Sequence, residues 1–245
     1  MNPAVYDAMA AHDRTSWYYR GKRAAIRALL QKHAIHTTKV VDIGCGTGRN
    51  AVVFEPATGP TEYVGIEPAE LPFEVPGFAT SRIIRQPMEH VSMGDVGDPA
   101  DLVAMIDVLE HVEEDRGLEI AKRLLKRDGH LLITVPAYPI LWSRGDRDAH
   151  HLRRYTPQSL KTALQRHGLT MVSWNHYFLF AFLPLLVVAL MDRLCPSWAP
   201  RKGGGEFGPW PDNGTIGAYV EFEGRLGRTI HWPWGTGIVA IARFS

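Results

Sequence analysis

The sequence predicts an α/β fold in which a mostly parallel sheet has helices on both faces. Short, β-branched strands alternate with helical segments along most of the 245 residues, and the first strand runs directly into a glycine-rich turn. Such alternation is typical of repeated strand–helix–strand units. Since 45% of the residues are hydrophobic, the chain can bury one substantial core. We therefore expect residues 1–245 to form a single domain.

The predicted elements follow in order from a helical lead-in to a final strand. They are a helix at 20–33, the first strand at 40–43, strands at 63–66, 81–84 and 101–106, a helix at 113–126, a strand at 130–135, a helix at 157–167, and strands at 170–174 and 236–244. Thr156 and Gly168 have the residue types that cap the two ends of the last helix. About sixty residues separate the final two strands, which is more than a simple linker needs. We expect residues 1–36 to form a helical lid and residues 177–232 an inserted substrate cap.

An uninterrupted apolar stretch lies inside this insertion, at residues 177–191. A membrane-spanning helix takes about 20 residues, and this stretch is shorter and contains Pro184. We expect a buried or pocket-lining helix here. A helix lying at a membrane interface is the alternative.

The composition limits the partners and the compartment. The net charge is only +1 and the basic residues are scattered, so we expect no nucleic-acid partner. Cys45 and Cys195 lie far apart and do not suggest a disulfide, which favours a reducing, cytoplasmic location. The N-terminal residues also lack the charged-then-apolar pattern of a secretory signal.

Residues 40–48 read Val-Val-Asp-Ile-Gly-Cys-Gly-Thr-Gly and join a buried strand to a glycine turn. Glycines allow a tight turn and a close approach to a ligand. A dinucleotide-binding loop would need its third glycine where Arg49 stands, so the spacing argues against a dehydrogenase. Glu67 ends the next strand about twenty residues beyond the glycines, where ribose hydroxyls are held in nucleotide sites. An ordinary strand-to-helix turn without a ligand is the alternative.

The spacing Asp-x-Gly-x-Gly-x-Gly resembles the first motif of class I methyltransferases that use S-adenosylmethionine (SAM). Residues 107–112, Asp-Val-Leu-Glu-His-Val, are similar to the run after the fourth strand in many small-molecule members. Ligands sit at this carboxyl edge of the sheet. His111 has a reference pKa near neutrality and could act as a general base or substrate ligand, or it could be a structural histidine. Glu110 is expected to brace the fold.

Further resemblance points to a bacterial group of class I methyltransferases of types 11, 12 and 23. It rests on residues 17–23, 125–137, 138–155 and 232–238. The resemblance implies a seven-stranded sheet with an antiparallel last strand, and a substrate held above the carboxyl edge. The cofactor-binding residues would be Asp42, Gly44, Cys45, Gly46, Gly48, Glu67, Met88 and Asp107. Many relatives have an acid after the third strand where this chain has Gln86-Pro87-Met88-Glu89, which leaves the adenine contacts open. Met88 could pack on the adenine ring, and Glu89 or a backbone group could bind its amino group, or Glu89 could lie in a surface turn.

The remaining candidates lie in the lead-in and in the loop after the fifth strand. The catalytic candidates are Asp107, His111, His150 and His151; the substrate-binding candidates are Trp17, Tyr18, Tyr19, Trp142 and Arg153. The aromatic residues could form a wall over a planar substrate. His150 and His151, with Asp146 nearby, invite a metal hypothesis, but adjacent side chains in an extended loop point in opposite directions. Because no Cys or His neighbours complete a site, we expect no metal.

The sequence thus predicts a SAM-dependent methyltransferase that transfers a methyl group to oxygen or nitrogen of a small molecule, with an aromatic or heteroaromatic acceptor favoured. One alternative is a methyltransferase acting on a lipid-like or prenylated substrate. An alternative of another class is a non-catalytic SAM-binding interaction module, whose expected sign would be a damaged glycine loop.

Overall fold

The computed structural model describes residues 13, 15–35, 37–54, 62–195 and 214–245. Within these ranges the chain forms a seven-stranded sheet of order β3-β2-β1-β4-β5-β7-β6. The strands are β1 (Lys39–Ile43), β2 (Glu62–Ile66), β3 (Thr80–Ile84), β4 (Ala100–Ile106), β5 (Leu125–Pro136), β6 (Leu169–Tyr177) and β7 (Gly237–Phe244). The pairings among β1 to β5 are parallel, whereas β7 runs antiparallel to both β5 and β6. The predicted fold class is confirmed, including the antiparallel last strand.

Helices surround the sheet, and side-chain caps fix several of their starts. They are α1 (Trp17–Lys32), α2 (Met93–Val96), α3 (Glu114–Leu124), α4 (Arg144–Asp148), α5 (Pro157–Arg166), α6 (Phe182–Leu194) and α7 (Gly214–Leu226), with short 3-10 turns at Arg49–Val53, Met88–His90 and Pro139–Leu141. The Ser16 side chain accepts a hydrogen bond from the Tyr18 amide, so α1 begins three residues before the predicted start. Thr156 caps α5 as predicted by accepting from the Ser159 amide at 3.0 Å.

Alternate residues of the strands face two separate apolar cores. Val103 and Met105 of β4 lie in one core with side chains of α3 and α5. Leu102 and Ala104 lie in the other with side chains of α1 and α7. This alternation is the two-residue repeat of a strand covered on both faces.

The described parts of the predicted lid and cap pack against each other. A Cβ atom added at Gly21 of α1 would lie 2.5 Å from Phe178, and one added at Gly224 of α7 would lie 2.6 Å from the Ala24 side chain. Arg20 also donates to Glu221 at 2.8 Å. These contacts place α1 and α7 together beside the carboxyl edge. The rest of both predicted segments (residues 1–12, 14, 36 and 196–213) lies outside the described residues, and their roles as lid and cap stay predictions.

Helix α6 contains most of the apolar stretch, but the prediction that this helix is buried is wrong. Leu183, Val187, Leu190 and Leu194 form one exposed stripe, and Leu183 and Leu194 are 66% and 76% exposed. Only Leu185 and Ala189 of α6 are buried. The stretch is apolar around its whole circumference, so its sequence could not show which side packs inward. Within the described parts of the chain, no helix is both long enough and apolar enough to cross a membrane.

Candidate active site

The predicted cofactor residues gather at the carboxyl edge of the parallel strands. The glycine loop follows β1, Glu67 follows β2 and Asp107 follows β4. Because these strands run parallel and adjacent in the order β2-β1-β4, their carboxyl ends meet at one edge, where open α/β sheets bind ligands.

The three glycines of the loop have different tasks. All have positive φ, at 69° for Gly44, 56° for Gly46 and 79° for Gly48, a region that favours glycine. A Cβ atom at Gly44 would lie 2.5 Å from Val108, and one at Gly48 would lie 2.8 Å from Phe73. At Gly46 an added Cβ would meet no described atom within 4 Å. Gly44 and Gly48 therefore permit close packing, while Gly46 faces open space.

Glu67 is anchored directly behind this open point. Its Oε2 accepts from the Gly46 amide at 3.1 Å and its Oε1 accepts from the Ala69 amide at 3.0 Å. Each carboxylate oxygen has a second lone pair, so the group can still accept from a ligand. Cys45 anchors the loop on β2, because its sulfur lies 2.5 Å from the position that a Cβ atom on Gly65 would take. The thiol of Cys45 is buried, and burial raises its pKa.

Asp42 lies beneath the loop and is almost fully buried. Its Oδ2 accepts from the Tyr63 hydroxyl at 2.7 Å, whereas its Oδ1 has no hydrogen-bond partner among the described residues. Burial raises the pKa of Asp42 to about 7, and the nearby Glu67 carboxylate adds to the rise.

This pKa predicts a pH dependence of stability. The folded protein holds the Asp42 proton more tightly than the unfolded chain, whose aspartate has a pKa of 3.8, so the free energy of unfolding should fall as pH rises from about 4 through 7. Relative to Asp42→Asn, which cannot titrate, the wild type should lose about 3 kcal/mol between pH 5 and pH 8. Urea unfolding of both proteins across this range measures the difference. Parallel pH profiles would contradict the assignment.

Asp107 is the centre of a polar network that sequence reasoning saw only in part. Its φ is 54°, its Oδ1 accepts from the Thr134 hydroxyl at 2.7 Å, and its Oδ2 is ion-paired with Lys22 and accepts from the Tyr18 hydroxyl. Lys22 is 2% exposed and also donates to the Tyr18 oxygen at 2.8 Å. Lys22 belongs to the lead-in motif but was not a predicted site residue. A lysine on the otherwise apolar, buried face of a helix is the signal that could have identified it.

A cleft opens beside this network. Its lining consists of Tyr18, Asp107, Glu110, Pro136, Tyr177, Phe178, Thr236 and Gly237. Of the predicted aromatic wall, only Tyr18 lines the cleft. Trp17 is buried in the core against Phe178, while Tyr19 packs on Tyr18. Tyr177 and Phe178 supply the other aromatic surfaces, at a position that the sequence assigned to the start of the cap.

Met88 and Trp142 lie away from this cleft. Met88 is buried in the core with Val64 and Ile66, below the end of β3. Trp142 is half-buried in the loop before α4. The expected contact of Met88 with adenine and that of Trp142 with a substrate remain predictions.

The loop carrying the histidine pair folds back on residues 109–112. The Leu152 amide donates to the Glu110 carbonyl at 2.7 Å, and the Arg153 guanidinium donates to the Val112 carbonyl at 2.8 Å. Arg153 thus holds the loop in place, and its substrate contact stays a prediction. Asp146, fully buried, pairs with Arg154 at 2.7 Å and with Nδ1 of His151 at 2.9 Å.

The position of this loop brings together residues that are distant along the chain. The rings of His111 and His151 lie 4.8 Å apart, edge to face, and ligand atoms of Glu110, His111 and His151 all lie within 4.8 Å of one another. Burial lowers the pKa of His111 to about 4, with a smaller contribution from His151, so its imidazole is neutral at physiological pH. His150, with a φ of 58°, is not part of this group. The expectation that the histidine pair has no ligand neighbours was therefore wrong, because the neighbours are distant only along the chain.

Known proteins share this architecture. Residues 12–174 match a family model described as "Methyltransferase domain". No curated protein matches the chain significantly. Among solved structures, a plantazolicin methyltransferase bound to S-adenosylhomocysteine (SAH) superposes with a TM-score of 0.57 at 11% identity, covering 100% of this chain and 91% of its own.

Two further structures show the same fold. A SAM-dependent methyltransferase from Archaeoglobus fulgidus has a TM-score of 0.52 at 14% identity, covering 94% of this chain and 96% of its own. A 1,6-didemethyltoxoflavin-N1-methyltransferase from Burkholderia thailandensis, with its acceptor and SAH bound, has a TM-score of 0.50 at 20% identity, covering 70% and 78%. These likenesses confirm the class I fold, and the family match, which spans more than half of the chain, supports the predicted enzyme class. The chain belongs to the methyltransferase domain family.

Proposed function

We propose that this methyltransferase binds SAM at the glycine loop and transfers its methyl group to oxygen or nitrogen of a small, planar acceptor in the adjoining cleft. The observation that carries the proposal is the open space at Gly46, the residue whose amide donates to the carboxylate of Glu67. Structural neighbours bound to SAH support the choice of donor.

The residues around the loop fit this donor. A ligand can lie against the Gly46 backbone because no side chain of the described residues occupies that space. Glu67 can accept from both ribose hydroxyls, and the partnerless Oδ1 of Asp42 offers a buried acceptor below the loop. When bound, SAM supplies an electrophilic methyl group. The protein has to align a nucleophile with that group and exclude water.

The lining of the cleft supports a planar acceptor. Tyr18, Tyr177 and Phe178 give it aromatic walls, which favour a planar, aromatic or heteroaromatic compound. The carboxylate of Asp107 also lines the cleft and can accept a hydrogen bond, and its ion pair with Lys22 fixes its direction. The Burkholderia thailandensis neighbour is an N1-methyltransferase of 1,6-didemethyltoxoflavin by its name, which agrees with a small-molecule acceptor.

Binding and turnover test the proposal separately. Calorimetry with SAH should show one site per chain. Incubation with methyl-labelled SAM and fractionated small-molecule extracts should then give a labelled product. Absence of SAH binding by the wild-type protein would contradict the enzyme proposal, whereas binding without consumption of SAM with any acceptor would favour the non-catalytic module.

The two free cysteines agree with a cytoplasmic setting for this activity.

A lipid-like or prenylated acceptor is the second candidate, and the exposed stripe on α6 favours it. Leu183, Val187, Leu190 and Leu194 are spaced by three or four residues, so they lie along one side of the helix. Such a stripe could rest in the headgroup region of a membrane and give the enzyme access to an acceptor held there.

Flotation with liposomes should separate the two candidates. If the acceptor is lipid-like, wild-type protein should float with anionic vesicles, and Val187→Asp should abolish flotation because a charge would enter the apolar contact. Val172→Asp is the matched control, since Val172 is also exposed but lies on β6 outside the stripe. A wild-type protein that stays entirely in the aqueous fraction would contradict the lipid candidate.

A further inference from the structure

We propose that Glu110, His111 and His151 form a binding site for one divalent transition-metal ion. Two imidazoles and one carboxylate form a ligand set typical of Zn²⁺ and of non-haem Fe²⁺, with positions left open for other ligands. The site would lie between the segment after β4 and the loop after β5, next to the cleft.

The distances require only small movements. One ligand atom from each residue lies within 4.8 Å of the other two. Atoms bound to a zinc ion at 2.0–2.2 Å are about 3–4 Å apart. Rotation of the side chains by roughly 1 Å therefore closes the site, and the backbone that carries it is already fixed by the Leu152 amide bonding to the Glu110 carbonyl at 2.7 Å.

The surroundings orient His151 as a ligand. Its Nδ1 faces Asp146 Oδ1 at 2.9 Å, which leaves Nε2 as the nitrogen available for a metal. Asp146 is in turn held by Arg154 at 2.7 Å and by the Ser143 amide at 2.8 Å. A carboxylate that accepts from the second nitrogen of a ligating histidine is the usual outer partner at metal sites, where it fixes the tautomer and the ring direction.

The chemical setting also fits a cation. Glu110 is 1% exposed, so its carboxylate would bind an ion away from bulk water. The charge of Asp146 is already matched by Arg154. A divalent ion would be coordinated by the Glu110 carboxylate and by the two imidazoles.

The position of the site connects it to the proposed reaction. Glu110 also lines the cleft, as does Asp107 three residues earlier. An ion held there could bind an oxygen or nitrogen atom of the acceptor and orient it towards the methyl donor. This last step rests on the proposed function, whereas the metal site itself does not.

Cobalt binding tests the site without any need for activity or SAM. Full-length protein stripped with chelator is titrated with Co²⁺, and the visible absorption bands of protein-bound cobalt are recorded. We expect one equivalent to bind, and Zn²⁺ to displace it. His111→Ala and His151→Ala should each weaken binding by at least about a hundredfold, because each removes one of three ligands.

His150→Asn is the matched control. It changes the histidine next to His151 that lies outside the group, and asparagine tolerates the positive φ of 58° at that position. This variant should bind Co²⁺ like the wild type. Thermal unfolding identifies any variant that does not fold, in which case Glu110→Gln replaces it in the comparison. Absence of cobalt bands in the wild type, or equal binding by both alanine variants, would overturn the proposal even if SAH still binds.

Discussion

Gly46→Ala should strongly weaken SAM binding while leaving the chain folded. The added Cβ would enter space that no described atom approaches within 4 Å, so it displaces none of the described residues. It would instead occupy the region where the proposed donor lies against the loop. We expect affinity for SAH to fall at least about a hundredfold, as measured by calorimetry, since even a 1 Å displacement of the donor would separate it from Glu67.

Gly168→Ala is the control that separates the effect of backbone strain from the effect of filling the open space at Gly46. Gly168 follows α5 with a φ of 68°, close to the 56° of Gly46, and its added Cβ would come no nearer than 3.8 Å to Lys122. Both variants should lose about 1–2 kcal/mol of unfolding free energy from the left-handed conformation. Only Gly46→Ala should lose SAH. If both bind SAH within a factor of three of wild type, the donor does not lie at this loop.

The sheet could be predicted from the sequence because its strands are short, apolar and punctuated by turn residues. The start of β5 could not. β5 begins at Leu125, five residues before the predicted start, and runs through Asp128 and Gly129, which look like a turn. Pairing with β4 at Ala100 determines this start, and tertiary pairing of that kind overrides local turn preference.

The candidate site also has parts that could be predicted from the sequence and parts that could not. The glycine loop and Glu67 could be predicted because a local motif fixes each, and the order of parallel strands then brings them together. The approach of His111 to His151 could not, since 40 residues separate them along the chain and only the folded loop closes the gap. Lys22 was not predicted as a site residue for a related reason. Its partner Asp107 lies 85 residues away, so the lead-in motif alone did not single it out.

Asp107→Asn should destabilise the protein as well as slow methyl transfer. Lys22 is 2% exposed, and removing the charge of Asp107 takes away the ion pair of a buried ammonium group. Loss of one partner of a buried ion pair costs about 3–5 kcal/mol. Because the Asp107 side chain is 26% exposed, we expect a loss of unfolding free energy at the lower end of this range, about 3 kcal/mol. Urea unfolding measures it. Asparagine keeps the shape and tolerates the positive φ of 54°, so the effect reports the charge.

The double variant Lys22→Met/Asp107→Asn distinguishes a structural role of the pair from a functional one. With both charges removed, no buried ion is left alone, and most of the lost unfolding free energy should return. Methyl transfer should stay low, because the proposed carboxylate beside the acceptor is still missing.

Lys126→Met provides the matched control. Lys126 pairs with Asp101 at 2.6 Å, but it is 37% exposed and lies outside the cleft lining, so its loss should cost less than about 1 kcal/mol and leave turnover unchanged.

Recovery of both stability and turnover in the double variant Lys22→Met/Asp107→Asn would show that the Asp107 carboxylate serves only to neutralise Lys22.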